Sequence, residues 1–197
     1  SSPLVVKHGL ARSPNMIWVK NRTTDGSHWF VYHSDLGVDK FLLLNSTNSA
    51  YGYNGGFSNI TDTSISLFDS NATNDKEFIA MLFASVDNVS KVGIYDGQTS
   101  DVTITTGFQP RFILIKGYNS LANGRHWIVM DSLRGINPSG NTDYLYLESS
   151  AAENQGGPEP YISGISSTGF TLLAGKGDTN ARFEDGTYRQ YLYYAHA

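Results

Sequence analysis

The chain has no cysteine, so neither a disulfide, a thiolate metal site nor a cysteine nucleophile can be built from it. Charge is sparse: Asp, Glu, Lys and Arg make up 16% of the 197 residues, with a net charge of −4 and no basic block. A nucleic-acid footprint needs clustered Lys and Arg, so that partner class is excluded. No apolar run approaches membrane-spanning length, which argues against membrane insertion by a helix. The opening Ser-Ser-Pro-Leu has no signal-peptide pattern and reads as the start of a fragment cut from a longer chain. Helix-favouring stretches of Ala, Glu, Lys and Leu are also scarce. What is abundant is Gly, Ser, Thr and Asn, with aromatics at 13%. That mixture suits short strands joined by tight turns, and the expected fold class is all-β.

One stretch is written twice. Residues 26–37 read Gly-Ser-His-Trp-Phe-Val-Tyr-His-Ser-Asp-Leu-Gly, and 98 residues later 124–135 read Gly-Arg-His-Trp-Ile-Val-Met-Asp-Ser-Leu-Arg-Gly. Around it the same order recurs. Residues 107–110 answer 9–14, 111–116 answer 15–20, and 144–149 answer 41–46. Further along, 168–172 answer 63–67, and 188–195 answer 77–84. The spacing drifts, which places insertions in loops, where lengthening costs little. The expected organisation is a first β repeat over 1–85, a connecting segment over 86–105 and a second β repeat over 106–197. Expected strands are 15–21, 28–33, 40–45, 64–68, 77–84 and their second-copy counterparts, with a short strand near 91–95. Residues 1–11 read as an entry arm and 46–57 as a loop. The near-continuous apolar strands imply cover on both faces. The architecture expected is an antiparallel β-sandwich, jelly-roll-like, built from two sequence-related halves, either two small sandwiches or one interlocked larger one.

These residues resemble repeat modules of phage virion proteins: tail-fibre, spike and head-appendage proteins of marine and environmental phages. The matching elements are Gly107 to Lys116, Trp127 to Arg134 and Tyr144 to Glu153, then Gly169-Phe170 and Gly186-Thr187-Tyr188. The first copy matches at residues 18–22, Trp29 and 42–46, and departs at Asp75-Lys76-Glu77 and Ile65. The resemblance implies a virion location outside the cell and a non-enzymatic structural role. It also implies other virion proteins as partners, a homo-oligomer, and attachment to host-surface polysaccharide. A capsid decoration protein and a carbohydrate-active domain are the alternatives.

Candidate sites are weighed against plainer roles. Trp29 and Trp127 hold the same strand position in both copies, which reads as core anchoring rather than sugar stacking. His28 and His126 read as caps or packing partners beside the strand. The pairs Asp35 with Asp39 and Glu184 with Asp185 lie in turn-rich segments, and no catalytic residue is assigned. Asp69, Asn71, Asn74 and Asp75 make an oxygen-rich loop without the spacing or glycine of an EF-hand, so no metal and no cofactor are assigned. Glycosylation-type triplets start at Asn21, Asn45, Asn59, Asn71 and Asn88 and read as coincidence in a chain this rich in Asn, Ser and Thr. The favoured ligand-binding candidates are the rings of the 51–57 loop, Tyr51, Tyr53 and Phe57, because rigid aromatics among Gly and Asn make good recognition surfaces. Tyr118 and Tyr161 are their second-copy equivalents.

Overall fold

Runs of β-branched and aromatic residues punctuated by Gly and Asn give an all-β chain. The computed structural model describes residues 3–52, 56–67, 75–119, 125–137, 141–153, 161–183 and 185–197. They form two compact units, 1–45 with 50–85, and 86–197 with 46–49. Among the described residues no helix is long and apolar enough to cross a membrane.

The first unit contains β1 (Leu4–Lys7), β2 (Met16–Asn21), β3 (Trp29–His33) and β4 (Lys40–Leu43). It continues with β5 (Tyr51–Gly52), β6 (Phe57–Ser58), β7 (Ser64–Leu67) and β8 (Phe78–Phe83). A five-stranded sheet runs β5-β4-β3-β2-β8 and a three-stranded sheet runs β1-β7-β6, with every pairing antiparallel. Period-two alternation sends Ile17, Val19 and Tyr32 of the larger sheet towards Phe57, Ile65 and Leu67 of the smaller, and these six close a core. The arm expected over 1–11 is thus partly a strand, and the loop expected over 46–57 includes β5 and the start of β6.

The second unit contains β9 (Ser90–Asp96), β10 (Val102–Thr105), β11 (Phe112–Gly117) and β12 (Trp127–Asp131). Then come β13 (Leu145–Tyr146), β14 (Ile162–Ser166), β15 (Gly169–Leu172) and β16 (Gln190–His196). The sheets are β13-β12-β11-β16-β9 and β10-β15-β14. The segment 86–105, expected to connect two repeats, supplies β9, paired to β16 from Gln190↔Asp96 to His196↔Ser90, and β10, paired to β15. Ile113, Ile115, Ile128 and Met130 pack with Ile104, Ile162, Phe170 and Leu172 in a second core. Each unit is an antiparallel β-sandwich.

The pairing order β4-β3-β2-β8 recurs as β13-β12-β11-β16, and β1-β7-β6 recurs as β10-β15-β14. In β11, Ile113, Leu114, Ile115 and Lys116 are all 0% exposed. Neighbouring side chains on a strand point to opposite faces, so both faces of this strand are covered. Met16 and Ile17 of β2 show the same, each at 0%.

Candidate functional site

The aromatic residues favoured by the sequence do not form one site. Tyr51 sits on the edge strand β5, 38% exposed, with its ring stacked on Phe41 at a centroid distance of 5.5 Å. Tyr53 lies outside the described residues. Phe57 is a correction: it is 2% exposed, paired in register with Leu67, and packed on Tyr32 inside the first core. Tyr161 is a second correction, 4% exposed with its ring edge-on to Tyr144 at 5.1 Å. Both rings serve the hydrophobic core and cannot meet a ligand. Tyr118 is half-buried just past β11, where its backbone N–H donates to Gln190 O at 3.0 Å.

The repeated His-Trp pair belongs to a polar bracket at the start of β3 and of β12. In the first unit the Trp29 N–H donates to Asn45 Oδ1 at 3.1 Å, while Asn45 Nδ2 lies 3.2 Å from His28 Nδ1. In the second, the Trp127 N–H donates to Glu148 Oε2 at 3.0 Å, and Glu148 Oε1 contacts His126 Nδ1. Lysines close the bracket from the neighbouring strand: Lys20 Nζ donates to Ser27 O, and Lys116 Nζ to Arg125 O. The geometry is the same with Asn in one unit and Glu in the other. These histidines, the Asn45 amide and the Glu148 carboxylate thus serve strand ends.

The second unit adds charge to this frame. Lys116, 0% exposed, also donates to Thr47 O at 2.7 Å, in the 46–49 segment that packs with this unit. Its ammonium lies 5.5 Å from the Trp127 ring centroid. Burial pushes its pKa down to about 7, against the pull of Glu148 and Asp178. Burial raises the Asp178 carboxyl, opposed chiefly by Arg125, whose Nη1 lies 3.8 Å away. Beyond Arg125 opens a cleft of about 500 Å³, lined in part by Arg182, Arg189, Gln98, Gly177 and Phe183. Arg182 stacks on Tyr188 at 4.3 Å and donates from Nη2 to Gln98 Oε1 at 3.1 Å. Arg189 stacks on Phe183 at 5.0 Å and donates from Nε to Arg182 O at 3.1 Å. Its Nη1 is buried with no acceptor, an arrangement that costs on the order of 1–3 kcal/mol for a donor left unpaired.

The family model of a domain of unknown function, DUF7483, matches residues 1–197. The chain belongs to the DUF7483 family. No curated protein and no solved structure matches it. Chemically, this DUF7483 domain presents cationic, hydrogen-bond-donating groups at the cleft and the Tyr51 ring at the edge of one sheet. Among its described residues no three His, Cys, Asp or Glu side chains converge as metal ligands. Asp69, Asn71 and Asn74 of the oxygen-rich loop lie outside the described residues. Sequence reasoning missed the three arginines because Arg125 stands far from the other two in the chain and no motif spacing links them. The available signal was the pairing of each late arginine with a ring, Arg182-Phe183 and Tyr188-Arg189, beside the glycines of 175–177.

Proposed function

We propose that the chain is a non-enzymatic structural module of a phage virion, part of a tail fibre, spike or head appendage, which contributes to attachment to host-surface glycan. The observation that supports this reading is where the residues of the virion resemblance sit: at joints of the sandwich. Asp131 accepts from the backbone N–H groups of Leu133 and Arg134 and pairs with Arg134 Nε at 2.8 Å, while Arg134 Nη1 reaches Glu153 at 3.6 Å. Gly169 passes so close to β10 that an added Cβ would lie 2.0 Å from Ile104 O. Phe170 is 1% exposed in the core. A signature made of scaffold joints supports a structural role for these residues over a catalytic one. Carboxylates are likewise committed to the frame: Asp101 accepts from Ser163 Oγ at 2.6 Å and from Ala174 N at 3.0 Å.

The recurrent pairing order supports a further element of the proposal, that an ancestral sandwich was doubled and its rim loops then diverged. Loops on a rigid β frame are where recognition evolves. Several copies on an oligomer would raise weak single-site affinity by multivalency. Antibody raised against the purified chain, used for electron microscopy of phage particles, tests the location. Label on fibres, spikes or appendages supports the proposal, label over the capsid lattice makes it a decoration protein, and particles without label refute it. Binding of the oligomer to an array of host polysaccharides tests attachment, and a flat array removes that part.

A further inference from the structure

We infer that the arginine-lined cleft of the second unit binds an acidic saccharide, gripping the carboxylate or sulfate of one sugar between Arg125 and Arg189 over Gly177. The inference rests on the attachment reading above for the ligand being a glycan. The preference for an acidic group comes from the cleft itself.

Three guanidinium groups from two segments line the cleft: Arg125 just before β12, and Arg182 and Arg189 on the two arms of the turn that leads into β16. The convergence is tight at one point. A Cβ built on Gly177 would lie 3.4 Å from Arg125 Nη1 and 3.6 Å from Arg189 Nη1. An added Cβ would be in ordinary contact with both tips, so the bare Cα brings the two cationic groups to either side of one point on the cleft wall. Gly177 is itself held, since Tyr191 donates its hydroxyl to Gly177 O at 2.8 Å.

The protein does not use up the donors it places there. A guanidinium offers five N–H groups. Among the described residues, hydrogen bonds account for Gly186 O and Gln98 Oε1 at Arg182 and for Arg182 O at Arg189. Among the described residues Arg125 pairs with the Asp178 carboxylate alone, at 3.8 Å, and Arg189 Nη1 meets no acceptor. Among the described residues Asp178 is the one carboxylate ion-paired with any of the three, and its burial already disfavours its charge. Cationic tips held this close repel one another, and an anion between them removes the repulsion.

The forks are also set in advance. The Arg182 guanidinium sits over the Tyr188 ring and that of Arg189 over the Phe183 ring, and each also donates a hydrogen bond to the protein. Little rotamer freedom remains to be lost on binding. The cleft, at about 500 Å³, has room for one or two sugar rings, and Gln98 and Thr99 on its wall can meet hydroxyls.

Titration of the full chain with trigalacturonate and, in parallel, maltotriose by calorimetry tests this. Trigalacturonate should bind at least about tenfold more tightly than the neutral trimer. Its affinity should fall as sodium chloride is raised. Gly177→Val sets a side chain against both tips without altering net charge, and should abolish trigalacturonate binding while the thermal transition persists. Arg189→Gln should weaken it about tenfold or more, and serves if the valine variant fails to fold. Equal binding of both trimers, or trigalacturonate binding untouched by the folded variants, overturns the inference and leaves attachment standing. Binding of neither trimer also overturns it, while the attachment reading is judged separately on the polysaccharide array.

Discussion

Replacing Lys116 by Met removes the only charge in the middle of β11 and keeps the length of the side chain. Two opposing effects are expected. The substitution strands the carbonyls of Thr47 and Arg125, which now receive the ammonium. Hydrogen bonds from a charged donor contribute roughly 1.5–3 kcal/mol each, so the loss is on the order of 3–6 kcal/mol. Against this stands the cost of keeping an ammonium out of water, visible in a pKa lowered from 10.5 to about 7. Hydrophobic replacement of a buried charge is often neutral for that reason. The net change at one pH is therefore a poor test, and the pH dependence is a good one. Between about 7 and 10.5 the unfolded chain carries a proton on this lysine that the folded chain has lost. Stability then rises with pH, by at most about 1.4 kcal/mol per pH unit, and the carbonyl acceptors oppose the shift and reduce the slope. Below 7 both states are protonated and the contribution of this group is flat. Buried Tyr95 and Tyr191 have raised pKa values, so tyrosine ionisation in the unfolded chain reverses the trend only near pH 10. Urea unfolding at pH 6, 7, 8 and 9 should show the wild-type midpoint climbing above pH 7 and the Lys116→Met midpoint staying level in comparison. Parallel pH profiles for the two proteins would mean that the carbonyl cage holds the proton throughout, and would refute the reasoning.

Glu148→Gln should cost less than about 1 kcal/mol in urea unfolding, since an amide oxygen can still accept from Trp127 N as Asn45 does for Trp29, whereas Glu148→Ala orphans that donor and should cost about 1–3 kcal/mol. Gly169→Ala forces β10 and β15 apart at Ile104 O and should lower stability by more than about 3 kcal/mol, read as a large drop in the thermal midpoint or loss of soluble protein. Phe57→Ala should cost about 3–5 kcal/mol as a core deletion, while Tyr51→Ala on the edge should cost far less, and similar values for the two would contradict their placement.

What the sequence made legible follows from how much of each strand is buried on two sides. The strands expected at 15–21, 28–33, 111–116 and 126–131 lie inside the five-stranded sheets, where successive residues such as Ile113, Leu114 and Ile115 are all enclosed and write an unbroken apolar run, whereas the apolar run over 77–84 belongs to the edge strand β8, whose Ile79 and Met81 are exposed. The three-stranded sheets left a fainter trace. Of their six strands only β7 and β15 stood out, each flanked by two partners and carrying buried residues such as Ile65 and Phe170. Strands β1, β6, β10 and β14 lie at sheet edges, run for two to five residues, and are half-exposed, so 1–11 resembled an arm and 86–105 a linker. The same physics misled the choice of binding residues. An aromatic among glycines reads alike whether its ring turns outward, as Tyr51 does, or closes a core, as Phe57 does, because the direction is set by strand register and not by the neighbours in sequence. The arginine cleft was less legible still. Arg125 and Arg189 stand 64 positions apart, and what joins them is the bare Cα of Gly177. A sequence records that glycine as one more turn former in a chain full of them. Only the fold shows that this glycine lies against two guanidinium groups.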